Sequence, residues 1–371
     1  MLKTNIIYIF QQIRGADMFF RKKITFFELE DWEKDYVKKN LKGFAIRFID
    51  GPLTPINASK AKDSEIIGIF IYSTINAQVL DKLPRLKMIA TFSTGYDHID
   101  IAECQKRSIT ICNVPVYGEN TVAEHAFALI LALSRKVFQS IERTRKGNFD
   151  YDGLRGFDLK GKTIGLIGTG HISAHVARIA YGFEMNIIGY DIREDPELVK
   201  NYGLKYVDIN TLLKTSDIVS LHLPLNDRTK YTINKKNIGM MKSSAIIINT
   251  ARGGLIETNA LVKALHNKKI AGAGLDVLEE ESAIKEEKQL LSEQFEPKYN
   301  MQTLLENHIL LQSENVIITP HNAFNSVEAL QRIIDTSLEN IKKFTAKTPQ
   351  NIVAVQPSIA QNIIQIPKDK K

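Results

Sequence analysis

The chain has 371 residues, of which 44% are hydrophobic and 25% charged, a composition typical of a soluble globular protein with room for two domains. Its net charge of +7 is concentrated at the ends, with +4 in residues 1–23 and +2 in residues 368–371, so the nearly neutral body disfavours nucleic acid as a partner. No apolar run suits a membrane span or a signal-peptide core, and two cysteines exclude a disulfide framework, which favours a reducing cytoplasm.

The first folded region begins near Lys23 and alternates apolar strands with helical or loop segments. Its strand candidates are KITFFELE, GFAIRFID, IIGIFIY and the apolar start of KMIATFSTGYDHID. This alternation predicts a parallel sheet covered by helices on both faces. The next stretch, from Thr121 to Gly147, has no Pro or Gly before its end and predicts one long helix that connects two domains.

A second alternating series starts at Lys162 and matches one complete doubly wound unit. Its six strand candidates are TIGLIG, NIIGYD, DIVSLHLP, AIIINTARGG, IAGAGLDV and NVIITPHNAF. The stretch SVEALQRIIDTSLENIKKF predicts a helix that returns to the first domain, which is then built from both ends of the chain. The connection Ser282–Asn315 is long and polar, and MQTLLENHILL within it is a candidate helix.

A glycine-rich turn in TIGLIGTGHISAHVARIA carries the first functional signal. The predicted strand ends at Gly168, Gly170 lets the backbone approach a pyrophosphate, and a helix then presents its positive N-terminus to the phosphates. Asp191 closes the following strand at the offset expected of an acid that binds ribose hydroxyls. The alternative is a tight strand–helix turn without a ligand, but the acid in register favours a dinucleotide site.

Two details of this motif refine the prediction. Ser173 replaces the third glycine of the fingerprint, and because serine is small we expect a slight shift rather than a loss of binding. The acid at Asp191 disfavours a 2′-phosphate, so NAD is predicted over NADP, although Arg193 follows two residues later.

Three residues whose side chains can bind an anion or transfer a proton each follow a predicted strand of the second sheet: Arg252, Glu281 and His321. Ligands of doubly wound sheets bind outside these strand ends, so the three could share a crevice with the cofactor. Arginine matches a carboxylate, histidine transfers protons near neutral pH, and a neighbouring carboxylate favours the imidazolium. Each residue also has a purely structural alternative. Arg252 could pair with an acid in the core, Glu281 could belong to an exposed acidic run (residues 279–281), and His321 could cap a turn after Pro320.

The chain resembles the D-isomer-specific 2-hydroxyacid dehydrogenase family over about residues 23–356. GLIGTGHI, NTARGGLI, GLDVLEEE and TPHNAF match the family's consecutive signatures, and FSTGYDHID and NVPVYGENTVAEHA match its substrate-domain segments. The resemblance implies an α/β fold of two doubly wound parallel-sheet domains with a cleft between them, usually in a homodimer. We therefore predict a flavodoxin-like substrate domain (23–120 plus 325–356), a Rossmann NAD-binding domain (121–324) and terminal extensions (1–22 and 357–371).

The resemblance also assigns site residues. The family's catalytic arginine, acid and histidine correspond to Arg252, Glu281 and His321, the acid lying five residues after the aspartate of LDV. The implied cofactor contacts are Val122, Gly168, Gly170, His171, Ile172, Asp191, Pro224, Thr229, Thr250, Ala251 and Asp276. The implied substrate contacts are Tyr72, Thr94, Gly95, Tyr117 and Phe324. No metal is implied.

Three aromatic residues, Tyr72, Tyr117 and Phe324, and the long segment after Glu281 resemble the D-lactate dehydrogenase branch. This predicts an NAD-dependent enzyme that interconverts a small 2-oxo acid and its D-2-hydroxy acid, with pyruvate and D-lactate as the leading pair. Formate dehydrogenases of the family carry glutamine at the position of Glu281. The alternatives are an oxidoreductase acting on hydroxyisocaproate, glyoxylate, hydroxypyruvate or phosphite, or an NAD-sensing binding protein.

Overall fold

The computed structural model describes residues 22–281 and 300–353, which form two compact units. Unit 1 contains the described residues up to Tyr117 and from Leu330 onward, and unit 2 runs from Gly118 to Ala329. Residues 118–120 and 325–329 thus group with unit 2, whereas the sequence-based boundaries place them in the first domain. Residues 1–21 of the first predicted extension, all of the second (357–371) and residues 282–299 of the long connection after Glu281 lie outside the described residues.

Unit 1 is built on a five-stranded parallel sheet in the order β2-β1-β3-β4-β5, the flavodoxin-like order. The inner strands are almost completely buried because helices and loops cover both faces. The strands are β1 (Lys23–Phe27), β2 (Ala45–Ile49), β3 (Ile66–Ile69), β4 (Met88–Thr91) and β5 (Thr110–Cys112). The helices are α1 (Asp31–Asn40), α2 (Ala77–Leu80) and α3 (Ile101–Lys106).

Unit 2 is built on a seven-stranded parallel sheet in the order β12-β11-β10-β9-β6-β7-β8. The order reverses between β6 and β9, which is the switch point where this fold binds ligands. The strands are β6 (Thr163–Ile167), β7 (Asn186–Tyr190), β8 (Lys205–Tyr206), β9 (Ile218–Leu221), β10 (Ile246–Asn249), β11 (Gly272–Leu275) and β12 (Val316–Ile318). The helices are α4 (Glu119–Ser134), α5 (Val137–Arg145), α6 (His171–Gly182), α7 (Pro196–Tyr202), α8 (Ile209–Thr215), α9 (Thr258–His266) and α10 (Met301–Leu311).

The predicted helix at the C-terminal side is present as α11 (Val327–Thr345), which carries the chain from unit 2 back into unit 1. The predicted fold class, two doubly wound parallel-sheet domains, is confirmed. No helix within the described ranges combines the length and apolar character that a membrane crossing demands.

The prediction of one long helix from Thr121 to Gly147 is wrong. The chain forms α4 and α5 with a break at Arg135 and Lys136, and Lys136 has a left-handed φ of +49°. The break has a tertiary cause: Phe157 N donates a 2.9 Å hydrogen bond to the Ser134 carbonyl, and Gly156 packs against that same carbonyl, where a Cβ would lie only 2.1 Å from the oxygen. No Pro or Gly within the helix signals this ending.

Candidate active site

The glycine-rich turn joins β6 to α6. Gly168 has a φ of +90°, and a Cβ there would lie 2.8 Å from the His222 carbonyl oxygen, so the turn requires glycine. A Cβ on Gly170 would meet no atom within 4 Å, so the protein itself leaves an open cradle at the start of the helix. The buried Ser173 hydroxyl donates to the Gly168 carbonyl, which gives the serine at the third fingerprint position a structural role.

Asp191 follows β7 and links the turn after β6 to the turn after β7. Its Oδ2 accepts hydrogen bonds from Thr169 N (2.6 Å) and Thr169 Oγ1 (3.4 Å), and its Oδ1 accepts a 3.1 Å bond from Arg193 N. Because Oδ1 keeps a further lone pair, the side chain fits a ribose hydroxyl of a dinucleotide.

Asp276 follows β11, is 1% exposed and organises the loop after β12. Its Oδ1 accepts hydrogen bonds from Thr319 Oγ1 (2.5 Å) and Asn322 N (3.0 Å), and its Oδ2 accepts one from Ala323 N (2.9 Å). Thr250, at the end of β10, has a buried hydroxyl without a hydrogen-bond partner among the described residues. A buried hydroxyl of this kind, like the open cradle at Gly170, fits a site that a cofactor completes.

The remaining predicted cofactor contacts lie in unit 2 as well. Val122 is buried in the first turn of α4, while His171 is exposed and Ile172 half-buried at the start of α6. The Thr229 hydroxyl donates to the Pro224 carbonyl at 2.5 Å and closes the turn after β9. Half-buried Ala251 follows β10, its N–H donating to Asn249 Oδ1 at 3.1 Å.

Arg252 lies at the end of β10 in extended backbone (φ −148°) and is half-buried. Asn249 Nδ2 donates to its carbonyl at 2.9 Å, and its own Nη1 donates to the Ala251 carbonyl at 2.7 Å. The next residue, Gly253, packs against Leu278, where a Cβ would lie 2.0 Å from the carbonyl carbon. Only glycine allows this approach, which fixes the arginine's backbone against the segment that leads to Glu281.

Glu281 and His321 form a direct pair, with 2.5 Å between Glu281 Oε1 and His321 Nδ1. His321 has a left-handed φ of +53°, and its N–H is held by the carbonyls of Asp276 (2.8 Å) and Thr319 (2.9 Å). The side chains are 29% and 19% exposed, so the pair is reachable yet partly shielded from water. The carboxylate orients the ring and leaves Nε2 as the nitrogen for proton transfer.

The acidic run 279–281 is not a uniformly solvated face, because each acid has a different partner. Glu279 accepts hydrogen bonds from Tyr231 Oη (2.5 Å) and Thr258 Oγ1 (2.8 Å), and Glu280 accepts one from Asn300 N (2.8 Å). The contact with Glu279 raises the pKa of the Tyr231 phenol. Two of the three acids therefore anchor the loop, and Glu281 is the one that reaches the histidine.

Unit 1 holds the predicted carboxylate loop. The Ser93 hydroxyl donates to the Gly95 carbonyl at 2.6 Å, and the Thr94 hydroxyl donates to the Val114 carbonyl at 2.6 Å. Within the described part of the chain, the backbone N–H groups of Thr94 and Gly95 have no acceptor. Backbone amides without an acceptor suit an anion such as a carboxylate.

The predicted aromatic contacts belong to both units. Tyr72 and Tyr117 lie in unit 1, where Tyr72 is 44% exposed and the Tyr117 carbonyl accepts a hydrogen bond from Arg332 Nε. Phe324 lies in unit 2, three residues after His321 and directly after the backbone that Asp276 holds.

Sequence reasoning missed three residues around the site. Glu28 holds the Tyr72 loop, His125 contacts Thr319 and Asp276, and His222 is half-buried after β9, with Nε2 2.9 Å from Ser220 Oγ and Nδ1 shielded from solvent. The motif DIVSLHLP contains His222, but nothing in its spacing distinguishes this histidine. His125 lies in a segment with an apolar helical pattern, and a polar residue at such a position could have marked it as a candidate functional residue.

Comparison with known proteins decides the family. The family model for the D-isomer specific 2-hydroxyacid dehydrogenase NAD-binding domain matches residues 127–323. The chain belongs to this family. It is therefore an NAD-dependent oxidoreductase acting on the CH–OH group, and the open cradle at Gly170 and the acid at Asp191 fit that cofactor.

Three relatives illustrate the range within this dehydrogenase family. A 2-hydroxyacid dehydrogenase homolog of Zymomonas mobilis is 35% identical over 324 residues, covering 86% of this chain and 96% of the relative. A glyoxylate reductase of Thermococcus litoralis is 36% identical over 302 residues, covering 79% of this chain and 85% of the relative. The crystal structure of D-lactate dehydrogenase from Aquifex aeolicus with NAD and lactic acid has a TM-score of 0.81 at 33% identity, covering 90% of this chain and all of that one.

Proposed function

We propose that this dehydrogenase reduces a small 2-oxo acid to the D-2-hydroxy acid, with pyruvate as the leading substrate and the reverse oxidation also available. The observation that carries the proposal is the 2.5 Å Glu281–His321 pair. Glu281 follows β11, which lies next to β10, the strand before Arg252, and His321 follows β12, one strand further along the same sheet. A proton donor and an anion anchor at the same edge of one parallel sheet, which also carries a dinucleotide turn, meet the needs of carbonyl reduction.

Each of the three residues has a separate role. Arg252 binds the substrate carboxylate and polarises the adjacent carbonyl through its planar fork of N–H donors. His321 donates the proton on Nε2 to the carbonyl oxygen as negative charge develops there. Glu281 accepts from Nδ1, which holds the ring in orientation and stabilises the imidazolium.

NADH, when bound, supplies the hydride that reduces the carbonyl carbon. The Gly168–Gly170 turn holds its pyrophosphate, Asp191 its adenosine ribose, and Asp276 and Thr250 its nicotinamide end. In unit 1, the N–H groups of Thr94 and Gly95 bind the substrate carboxylate in our proposal.

The substrate's side chain is the least constrained part of the proposal. Three bulky rings, Tyr72, Tyr117 and Phe324, favour a small or apolar group at this position, as in pyruvate. The glyoxylate reductase relative gives a specific reason to consider glyoxylate, which is smaller by one methyl group.

The test is NADH oxidation, followed at 340 nm, with pyruvate, glyoxylate, hydroxypyruvate, 2-oxoisocaproate and phenylpyruvate, each at several concentrations. We expect the highest kcat/KM with pyruvate, and D-lactate as the product on chiral analysis. A higher kcat/KM with glyoxylate would keep the mechanism and change the substrate. NADH binding without turnover on any of these acids would contradict the proposed reaction and favour phosphite oxidation or an NAD-sensing role.

We also propose a homodimer in the cytoplasm. Five exposed apolar side chains support a contact surface on α5 and the segment after it: Val137, Phe138, Ile141, Phe149 and Tyr151. Both cysteines are buried free thiols, compatible with a reducing compartment. Light scattering on wild type and Phe138→Asp tests the surface: we expect a dimer and a monomer, respectively.

A further inference from the structure

A short chain of polar groups lies behind the proposed nicotinamide end of the site. His125 Nε2 on α4 is 3.0 Å from Thr319 Oγ1 and 3.5 Å from Asp276 Oδ1, and Thr319 Oγ1 is in turn 2.5 Å from Asp276 Oδ1. The Asp276 side chain is 1% exposed and that of His125 is 21% exposed, so water screens these contacts weakly.

The direction of these hydrogen bonds follows from the number of protons. Asp276 also accepts from two backbone N–H groups, those of Asn322 and Ala323, so both of its carboxylate oxygens act as acceptors. The Thr319 hydroxyl carries one proton, and the 2.5 Å contact assigns it to Asp276. Thr319 Oγ1 must then accept from His125, so His125 Nε2 carries a proton.

We propose that His125, acting through Thr319 as a positioning residue, moderates the negative charge of Asp276 and thereby sets the relative affinity for NAD⁺ and NADH. The inference rests on the proposed placement of Asp276 at the nicotinamide end. The nicotinamide ring is positive in NAD⁺ and neutral in NADH, so a full carboxylate charge beside it favours the oxidised form. A donor chain that ends on the carboxylate withdraws part of this charge, which favours NADH and the reduction of the 2-oxo acid.

Other groups near the chain are already engaged elsewhere. His321, two residues after Thr319, directs Nδ1 to Glu281 Oε1 at 2.5 Å. Within the described residues, the His125 ring is the ionisable group that lies within ion-pair distance of Asp276, at 3.5 Å from Oδ1, so a substitution at this position isolates the effect.

The experiment measures Kd for NADH by fluorescence titration and Kd for NAD⁺ by calorimetry, at one pH, in full-length protein. His125→Leu removes the donor, Thr319→Val breaks the chain in its middle, and His125→Gln is the matched control because its side-chain amide can still donate. We expect the ratio Kd(NAD⁺)/Kd(NADH) to fall about fivefold in His125→Leu and in Thr319→Val, and to stay within about twofold of wild type in His125→Gln. A loss of packing alone would weaken both cofactors and leave the ratio unchanged.

Each outcome bears on a stated claim. An unchanged ratio in both His125→Leu and Thr319→Val, with normal binding by wild type, would overturn this inference and leave the proposed reaction intact. Failure of wild type to bind either cofactor would overturn both. Imidazole ¹⁵N NMR of the cofactor-free protein gives an independent check: we expect a protonated Nε2 on His125 at neutral pH, and an unprotonated Nε2 would overturn the hydrogen-bond direction.

Discussion

The two units share a doubly wound parallel sheet, but their first strand–helix turns are chemically opposite. In unit 2, the turn after β6 contains Gly168 and Gly170 and leaves an open cradle at the start of α6. In unit 1, the turn after β1 contains two acids, Glu28 and Glu30, and a third, Asp31, begins α1. Negative charge at this helix start disfavours a phosphate, so the same topology provides a cofactor site in only one of these two turns.

The units also present their predicted functional groups in different ways. Unit 2 uses side chains that bond to one another, above all Glu281 with His321 and Asp276 with the loop after β12. Unit 1 offers the backbone amides of Thr94 and Gly95, while its side chains hold loops in place. We infer that unit 2 carries the chemistry, including the arginine that polarises the substrate, and that unit 1 contributes only to recognition of the substrate, and the following predictions test this division.

The largest effect is expected at His321. His321→Gln removes the proton donor, so we expect kcat with the best 2-oxo acid to fall about a thousandfold or more, while the Kd for NADH stays within about threefold of wild type. Stopped-flow absorbance at 340 nm and NADH fluorescence measure the two quantities. Full activity in this variant would contradict the assignment of chemistry to unit 2.

Arg252 comes next, and two variants separate its charge from its shape. Arg252→Ala should lower kcat/KM about a thousandfold, and Arg252→Lys about ten- to a hundredfold, because lysine keeps the charge but not the planar fork. Steady-state kinetics across a range of substrate concentrations measure both. Wild-type kcat/KM in Arg252→Lys would mean that the charge alone suffices and would contradict a contact between the planar fork and the substrate.

Glu28 tests the recognition role of unit 1. Its carboxylate accepts hydrogen bonds from Phe70 N (3.0 Å), Tyr72 N (2.9 Å) and the Ser73 hydroxyl, so it holds the loop that carries Tyr72. Glu28→Gln places an NH₂ donor against backbone donors and should raise KM about tenfold with little change in kcat. Glu30→Gln in the same turn is the control, and we expect wild-type kinetics there. A fall in kcat without a change in KM would contradict the division between the units.

The smallest effect concerns stability rather than turnover. Burial lowers the pKa of His222 to about 4, below its usual 6.5, so the folded protein excludes a proton that the unfolded chain binds. This group therefore disfavours folding as pH falls from 6.5 towards 4, by about 2 kcal/mol between pH 7 and pH 5. Urea unfolding of wild type and His222→Gln at the two pH values measures this, and an equal loss in both would contradict it.

The sequence predicted the fold where apolar runs are long and regular, and it missed features that depend on tertiary contacts. β5 and β8 have only three and two residues, too few to show a pattern. The break between α4 and α5 comes from Gly156, which is distant in sequence. At the site, Arg252, Glu281 and His321 were identified as candidates because each follows a predicted strand of the same sheet. The separate partners of Glu279 and Glu280 could not be predicted, because three consecutive glutamates look alike in the sequence.

The central claim is that Glu281 and His321 act as one coupled pair, and a double-mutant cycle tests it most directly. Single-turnover reduction, with NADH already bound, is measured for wild type, Glu281→Gln, His321→Gln and the double variant. We expect the double variant to be no slower than His321→Gln, because the glutamate acts only through the histidine. A double variant slowed by the product of the two single effects would show that Glu281 acts independently and would contradict this account.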